Sequence, residues 1–404
     1  MKFLIFSFFA LLISAAAAKM FVNPYPRLET HSGNPEDFSV DDGPLFVTKY
    51  LEQGKDVKEI QKMAAIELDD LKDFPGYSGF FTVNKTTNSN MFFWYFPAKS
   101  QAEESPVTLW LQGGPGASSL FGLFTENGPF EVTKSGKVKA RKYSWHLNHN
   151  LLYIDNPVGT GFSFTDKDEG YAKNEVDLMY GDYLYQLGLI DTIGRDTFHA
   201  YEKKGRTCIA NRDFNGAFDV FDQLINMDQL PSGSLFKNMT GFTTYFNYLE
   251  QEDDGADASM AAFLKRTDVR KAIHVGNLSF HGLDGDENKV EEHLKLDVMD
   301  TIAPYLTELL SHYRVCIYNG QLDIIVAYPL TINYLKKLPF EHSKEYKTSP
   351  RYIWRVGKDI AGFVHEAGNL VEVLVRNAGH MVPHDQPKWA FDLITRFTHG
   401  KSFH

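Results

Sequence analysis

The sequence predicts an α/β fold: a mixed, mostly parallel sheet flanked by helices and interrupted by a helical insertion. Three observations carry this. Short apolar runs stop abruptly at Gly-rich loops, VTLWL at 107–111 before Gly113-Gly-Pro-Gly116 and LLYID at 151–155 before Asn156-Pro-Val-Gly-Thr-Gly161. Strands that end this way place loops at the carboxyl edge of a sheet, where such folds carry their chemistry. From about 195 to 300 amphipathic helical stretches alternate with polar loops, and the strand pattern then returns at 314–318 and 370–375.

In chain order, Lys2 precedes an apolar run at 3–13, followed by Ser14 and four alanines at 15–18. A charged start, a short apolar core and a small-residue exit predict a signal peptide over 1–18, cut after Ala18. The run is shorter than the ~20 apolar residues of a membrane span, and no later segment is long enough to be one. Residues 57–71 read as helical. GYSGFFTV at 76–83 and MFFWYF at 91–96 flank a polar stretch and predict a β-hairpin. Helices are expected at 214–225, 257–274 and, closing the chain, 389–397. The expected organisation is therefore a leader over 1–18, an N-terminal part of the core over 19–190, a helical insertion over 191–300 and a C-terminal part of the core over 301–404.

The 404 residues, 43% of them hydrophobic, suffice for a buried core in one large domain or two. A net charge of −11 offers no basic face to nucleic acid and suits an acidic compartment, where carboxylates are partly protonated. Three sequons begin at Asn84, Asn238 and Asn277, as expected of glycosylation sites in a protein of the secretory pathway, although sequons also arise by chance. The chain has two cysteines, Cys208 and Cys316. In an oxidising compartment they could pair; alternatively Cys316, within an apolar run, is a buried free thiol. No cofactor and no metal is called for.

The chemistry concentrates in three places. Gly113-Gly-Pro-Gly116 is either a tight turn or a loop whose backbone N–H groups approach an oxyanion closely. Asp323 follows a strand and Gly320, and His380 follows a strand and Gly379. That order suits the acid and base of a Ser-Asp-His triad, in which the imidazole takes the nucleophile's proton and the aspartate fixes its tautomer. The nucleophile itself is missing. Ser78, Ser118, Ser163 and Ser402 each have Gly two residues before, and none has Gly two residues after, so no serine sits in a Gly-x-Ser-x-Gly turn.

Several stretches together, among them WLQGGPGASSLFGLFTENGPF, WHLNHNLLYIDNPVGTGFSFT, DYLYQLGLID, VRKAIHVGN, YNGQLDIIV and RNAGHMVPHDQP, resemble the serine carboxypeptidases of the α/β-hydrolase superfamily, and among them the vitellogenic carboxypeptidase branch. The resemblance covers most of the chain from Tyr77 onwards. It implies an α/β-hydrolase fold and an exopeptidase acting on peptide or protein C-termini. Asp323 and His380 match the triad acid and base, and Gly114 an oxyanion donor. Gln112, the Gly113 backbone and Glu126 match the group that holds the substrate's C-terminal carboxylate. An acid facing a carboxylate requires one of the two to carry a proton, so binding should strengthen as pH falls. Family members are often dimeric, so a homodimer is a further expectation.

The family's nucleophile motif, Gly-Glu-Ser-Tyr-Ala-Gly, should lie between Val176-Asp-Leu-Met179 and the stretch from Tyr180, which here are contiguous. The missing block should amount to two βα units, about 30 residues each, holding the central nucleophile strand, its serine and a neighbouring strand. A second carboxylate-binding acid goes with it. Exon skipping, an incomplete gene model and a real deletion each account for the gap. The chain as written is then inactive; alternatively it is a secreted pseudoenzyme that binds peptide C-termini. Losing a strand buried on both faces also predicts poor folding. Ser118 and Ser163 are half-matches inside loops and are not expected to replace the nucleophile.

Overall fold

A computed structural model describes residues 3–5, 43–166, 180–225, 233–252, 256–282, 289–294 and 301–404. Most of the expected leader, the flank Val176-Asp-Leu-Met179 and part of the polar loop near 253 lie outside the described residues. The strands are β1 (Phe3–Ile5), β2 (Tyr77–Asn84), β3 (Ser89–Phe96), β4 (Val107–Trp110), β5 (Phe130–Val132), β6 (Val138–Ala140), β7 (Asn150–Ile154), β8 (Arg314–Gly320), β9 (Tyr352–Val356), β10 (Asp359–Ala367) and β11 (Leu370–Val375). They form a four-stranded sheet, β2-β3-β7-β4, a five-stranded sheet, β1-β8-β11-β10-β9, and the ribbon β5-β6. The chain divides into two units: residues 23–172 with 254–293, and residues 1–22 with 173–253 and 294–404.

The first unit is built on the β2–β3 hairpin, in the register Tyr77↔Tyr95 to Asn84↔Ser89. Its turn is set by Asn84, whose Oδ1 accepts the Thr86 N–H at 2.9 Å. From Met91 to Phe96 the strand β3 is apolar because both its faces are covered. Phe93, stacked on Phe81 at 4.6 Å, packs with Val47 and Ile60 on one face. On the other, Phe92 meets Phe80 and Phe162, and Trp94 and Phe96 meet Phe130. The expected helix near 57–71 is Val57–Ala64, followed by a 3₁₀ turn at Asp69–Leu71.

β3 runs antiparallel to β7, and β7 parallel to β4, pairing Val107↔Asn150 to Trp110↔Tyr153. Parallel pairing puts the loops that follow β4 and β7 at one end of the sheet, side by side. β4 closes the sheet order, and its Val107, Leu109 and Leu111 side are 68%, 46% and 42% exposed. A parallel strand is normally covered on both faces, so this exposed apolar side is unusual for one.

In the second unit β8 and β11 are parallel, in the register Leu370↔Val315 to Val375↔Gly320, while β10 and β9 follow in antiparallel order. All six residues of β11 are buried. Its one carboxylate, Glu372, accepts the phenols of Tyr328, at 2.5 Å, and Tyr346, which meets the requirement that a buried charge be hydrogen-bonded. The outer edge of β8 pairs in parallel with the backbone of Phe3–Ile5. The mixed sheet expected from the sequence is thus present in two pieces. Among the described residues the parallel pairs are β4–β7, β8–β11 and β1–β8.

Two long helices of this unit start at side-chain caps. Asp191 accepts the Gly194 N–H at 2.7 Å to open Thr192–Ala210, and Asp213 accepts the Gly216 N–H at 2.9 Å to open Phe214–Leu224. The closing helix Pro387–Thr398 buries Leu393, Ile394 and Phe397. The helical stretch expected at 257–274 belongs to the first unit and is two helices, Ala256–Leu264 and Thr267–Ala272. Cys316 is fully buried in β8, where burial pushes its thiol up to about 12, and it is not bonded to Cys208. Among the described residues no helix is long and apolar enough to cross a membrane.

Candidate active site

Because β8 and β11 are parallel, the loops that carry Asp323 and His380 leave the sheet at the same end. The glycines ahead of them allow those loops to touch. A Cβ on Gly320 would lie 1.9 Å from the Gly379 carbonyl oxygen, and one on Gly379 would lie 2.2 Å from that of Phe246. In this close packing His380 Nδ1 stands 2.9 Å from Asp323 Oδ2, with both side chains more than nine-tenths buried. Asp323 Oδ1 accepts the Val326 N–H at 3.0 Å. With the carboxylate ionised, Nδ1 carries the proton and donates it, and Nε2 is the nitrogen that can act as a base.

Three residues missed in the sequence hold this pair. The Phe246 ring stacks on the imidazole at 5.3 Å and 21°, and its carbonyl accepts the His380 N–H at 2.7 Å. Asp385 accepts the Gly379 N–H at 2.6 Å and the Asn247 amide at 3.1 Å; burial pushes its carboxyl above the usual range. The Tyr183 phenol donates to the Asp323 carbonyl at 3.2 Å, and burial with the nearby Asp323 pushes it up. Asp385 lies in the same motif as His380 and could have been singled out there. Tyr183 lies in the quoted stretch DYLYQLGLID, but nothing there marks it out from its neighbours, and Phe246 carries no local signal.

In the other unit the loop after β4 is held with equal definition. Gln112, 5% exposed, takes the Trp110 indole N–H on Oε1 at 2.7 Å and points Nε2 at Glu126 Oε1, 3.3 Å away. Glu126 is 4% exposed on a π-helical turn, Gly122–Asn127, so it is not a solvated loop carboxylate. Gly122 is required here, since a Cβ would lie 2.2 Å from the Trp110 indole nitrogen. Gly114 has φ +138° and precedes a cis peptide to Pro115. A side chain there would meet the Ala117 nitrogen at 2.6 Å, so only glycine fits this turn. The structure therefore joins Asp323 to His380 and Gln112 to Glu126, each pair internal to one unit.

The four serines that half-match a nucleophile turn all spend their hydroxyls on the fold. Ser118 donates to Asp155 Oδ1 at 2.6 Å and Ser163 to the Asp155 carbonyl at 2.7 Å, both fully buried. Ser78 donates to the Ile273 carbonyl at 2.7 Å, so the ring of His274, 3.1 Å away, does not receive its proton. Ser402 donates to the His404 carbonyl at the C-terminus. The three sequon asparagines, Asn84, Asn238 and Asn277, are exposed. Among the described residues no cluster of three or more His, Cys, Asp or Glu could hold a metal.

A buried acid–histidine pair after two parallel strands and a Gly-rich turn after a third define a protein of the α/β-hydrolase class. The serine carboxypeptidase family model matches residues 67–203 and 197–400. The chain is similar to the venom serine carboxypeptidase of Apis mellifera, 46% identical over 459 residues that cover 96% of this chain and 97% of the relative. It is also similar to the vitellogenic carboxypeptidase of Aedes aegypti, at 44% identity over 93% of this chain and 94% of that one. The crystal structure of Kex1(delta)p, a prohormone-processing carboxypeptidase of Saccharomyces cerevisiae, shares the fold, with a TM-score of 0.68 at 16% identity over 84% of this chain and 96% of that one. The chain belongs to the serine carboxypeptidase family. An alignment of 459 residues against a chain of 404 leaves at least 55 positions of the bee alignment with no counterpart here.

Proposed function

We propose that this chain derives from a serine carboxypeptidase whose full form releases C-terminal residues from peptides, and that the chain as it stands does not hydrolyse them. The carrying observation is an asymmetry. Asp323–His380 and Gln112–Glu126 are both assembled, whereas every half-matching serine is committed to a structural hydrogen bond. The deficit of at least 55 aligned positions agrees with loss of about two βα units of roughly 30 residues.

In the full form His380 Nε2 takes the proton of the nucleophilic serine as it attacks the scissile carbonyl, and Asp323 stabilises the imidazolium. The Gly114 N–H donates to the oxyanion. Gln112 and the Gly113 N–H bind the substrate's terminal carboxylate beside Glu126, an arrangement that requires a shared proton and so favours acid. The leader over 1–18, the exposed asparagines 84, 238 and 277 and the acidic net charge support a glycosylated protein of the secretory pathway, delivered outside the cell or to a lysosome-like compartment. The helices within 191–300 form the insertion between the two parts of the core.

Sequencing the transcript across the codons for Asn174 to Gln186 tests this. A longer transcript carrying Gly-Glu-Ser-Tyr-Ala-Gly between Met179 and Tyr180 is expected. A second reading, a secreted pseudoenzyme that binds peptide C-termini, is favoured by the intact, buried Gln112–Glu126 pair. If the short junction is the only one, that reading takes precedence.

A further inference from the structure

The loop after β4 and the loop after β7 meet on one carboxylate that the reaction does not use. Asp155, 1% exposed, accepts Ser118 Oγ–H at 2.6 Å and the Ser119 N–H at 3.0 Å on Oδ1, and the Phe162 N–H at 2.9 Å on Oδ2. Ser119 completes the tie: its hydroxyl donates to the Ile154 carbonyl at 2.6 Å and accepts the Gln112 N–H at 3.0 Å. Both ends of the Gly113–Gly116 turn are therefore anchored to the end of β7. A Cβ on Gly161 would lie 2.0 Å from Asp155 Oδ2, so the second loop is closed down on the carboxylate and keeps solvent from it.

We propose that Asp155 is a positioning residue for the Gly113–Gly116 turn, and that its burial makes the anchored arrangement of that turn favoured by acid. The proposal takes from the preceding section only the role of the turn, and its test needs neither catalysis nor peptide binding.

The sign follows from the burial. Desolvation is the largest influence on the Asp155 carboxyl and raises it to about 6, against the opposing hydrogen bonds from Ser118, Phe162, Ser119 and Leu120. When the turn detaches, the carboxyl meets water and returns towards its ordinary value near 3.8. The anchored state thus binds a proton more tightly than the detached one, and anchoring strengthens as pH falls through about 6. Among the described residues, the other charged or titratable side chains on or against these segments include Tyr153 of β7, Arg270, over the Phe162 ring at 5.5 Å, and His281, whose backbone pairs with Gly161.

Hydrogen–deuterium exchange of the full chain, read on peptides spanning 113–119 between pH 4.5 and 7.5 and corrected for intrinsic rates, tests this. Protection is expected to be about tenfold greater at pH 5 than at pH 7.5, with the β2–β3 hairpin unaffected. Asp155→Asn should abolish the pH dependence. Ser118→Ala should lower protection yet keep the dependence, and His281→Ala should leave both intact. A flat wild-type profile, a turn unprotected at every pH, an Asp155→Asn profile that keeps the wild-type slope, a slope lost in His281→Ala, or an equal change in the hairpin would each overturn it.

Discussion

His380 Nδ1 lies 2.9 Å from Asp323 Oδ2, and this hydrogen bond is buried although the chain carries no serine in a nucleophile turn. The pair is held by its own unit: the glycine contact between the two loops, the Phe246 stack and the Asp385 tie to Gly379 all act within it. Its persistence therefore needs no catalytic constraint.

Removing the acid should consequently cost stability. Asp323→Ala strips the acceptor from both His380 and the Val326 N–H, and a buried donor left unsatisfied costs about 1–3 kcal/mol. Asp323→Asn, which can still accept from Val326, should cost less. Thermal unfolding of the two variants checks the order.

Gln112 bridges Trp110 and Glu126, so Gln112→Ala leaves the indole N–H without its acceptor. A loss of about 1–3 kcal/mol is expected, together with loss of any binding to peptides with a free C-terminal carboxylate. Calorimetry with a peptide and its C-terminal amide separates the two effects.

Asp222 sits on the helix Phe214–Leu224 with Oδ1 buried and lacking a hydrogen-bond partner among the described residues. Burial, followed by repulsion from Asp219, raises its carboxyl to about 7. The folded state then holds a proton that the unfolded state releases near 4, so stability falls as pH rises from about 4 through about 7. Asp222→Asn should raise the melting temperature at pH 8 by a few degrees and leave it little changed at pH 4.5. Scans across that range decide it.

The bare side of β4 makes a separate prediction. Leu109 is exposed on a terminal strand that carries no charge, a pattern that invites pairing with another chain. Leu109→Lys should increase the yield of soluble monomer severalfold, as measured by size-exclusion chromatography.

The sequence made the β2–β3 hairpin legible because its runs are apolar and its turn polar, and the two Gly-rich loops because strands end at them. Asp323, His380 and Gly114 were readable because each follows a strand within a distinctive motif. β9 and β10 were not, since residues 352–367 mix Arg355, Lys358 and Asp359 with apolar positions and carry an irregularity between Ile360 and Gly362. Phe246, Tyr183 and Asp155 escaped notice because their roles arise only when distant segments pack together. The contiguity of Met179 and Tyr180 shows only against the family pattern, because a junction of this kind leaves no trace in composition or periodicity.

We infer that the acid–histidine pair has lost its nucleophile. The most direct test of this is release of the C-terminal residue from an N-blocked dipeptide at pH 5, by this chain and by the same chain with the missing block restored, each with and without a serine-directed phosphonate. Release is expected only from the restored chain, abolished by the phosphonate. Phosphonate-sensitive release by the short chain at a comparable rate would contradict the inference.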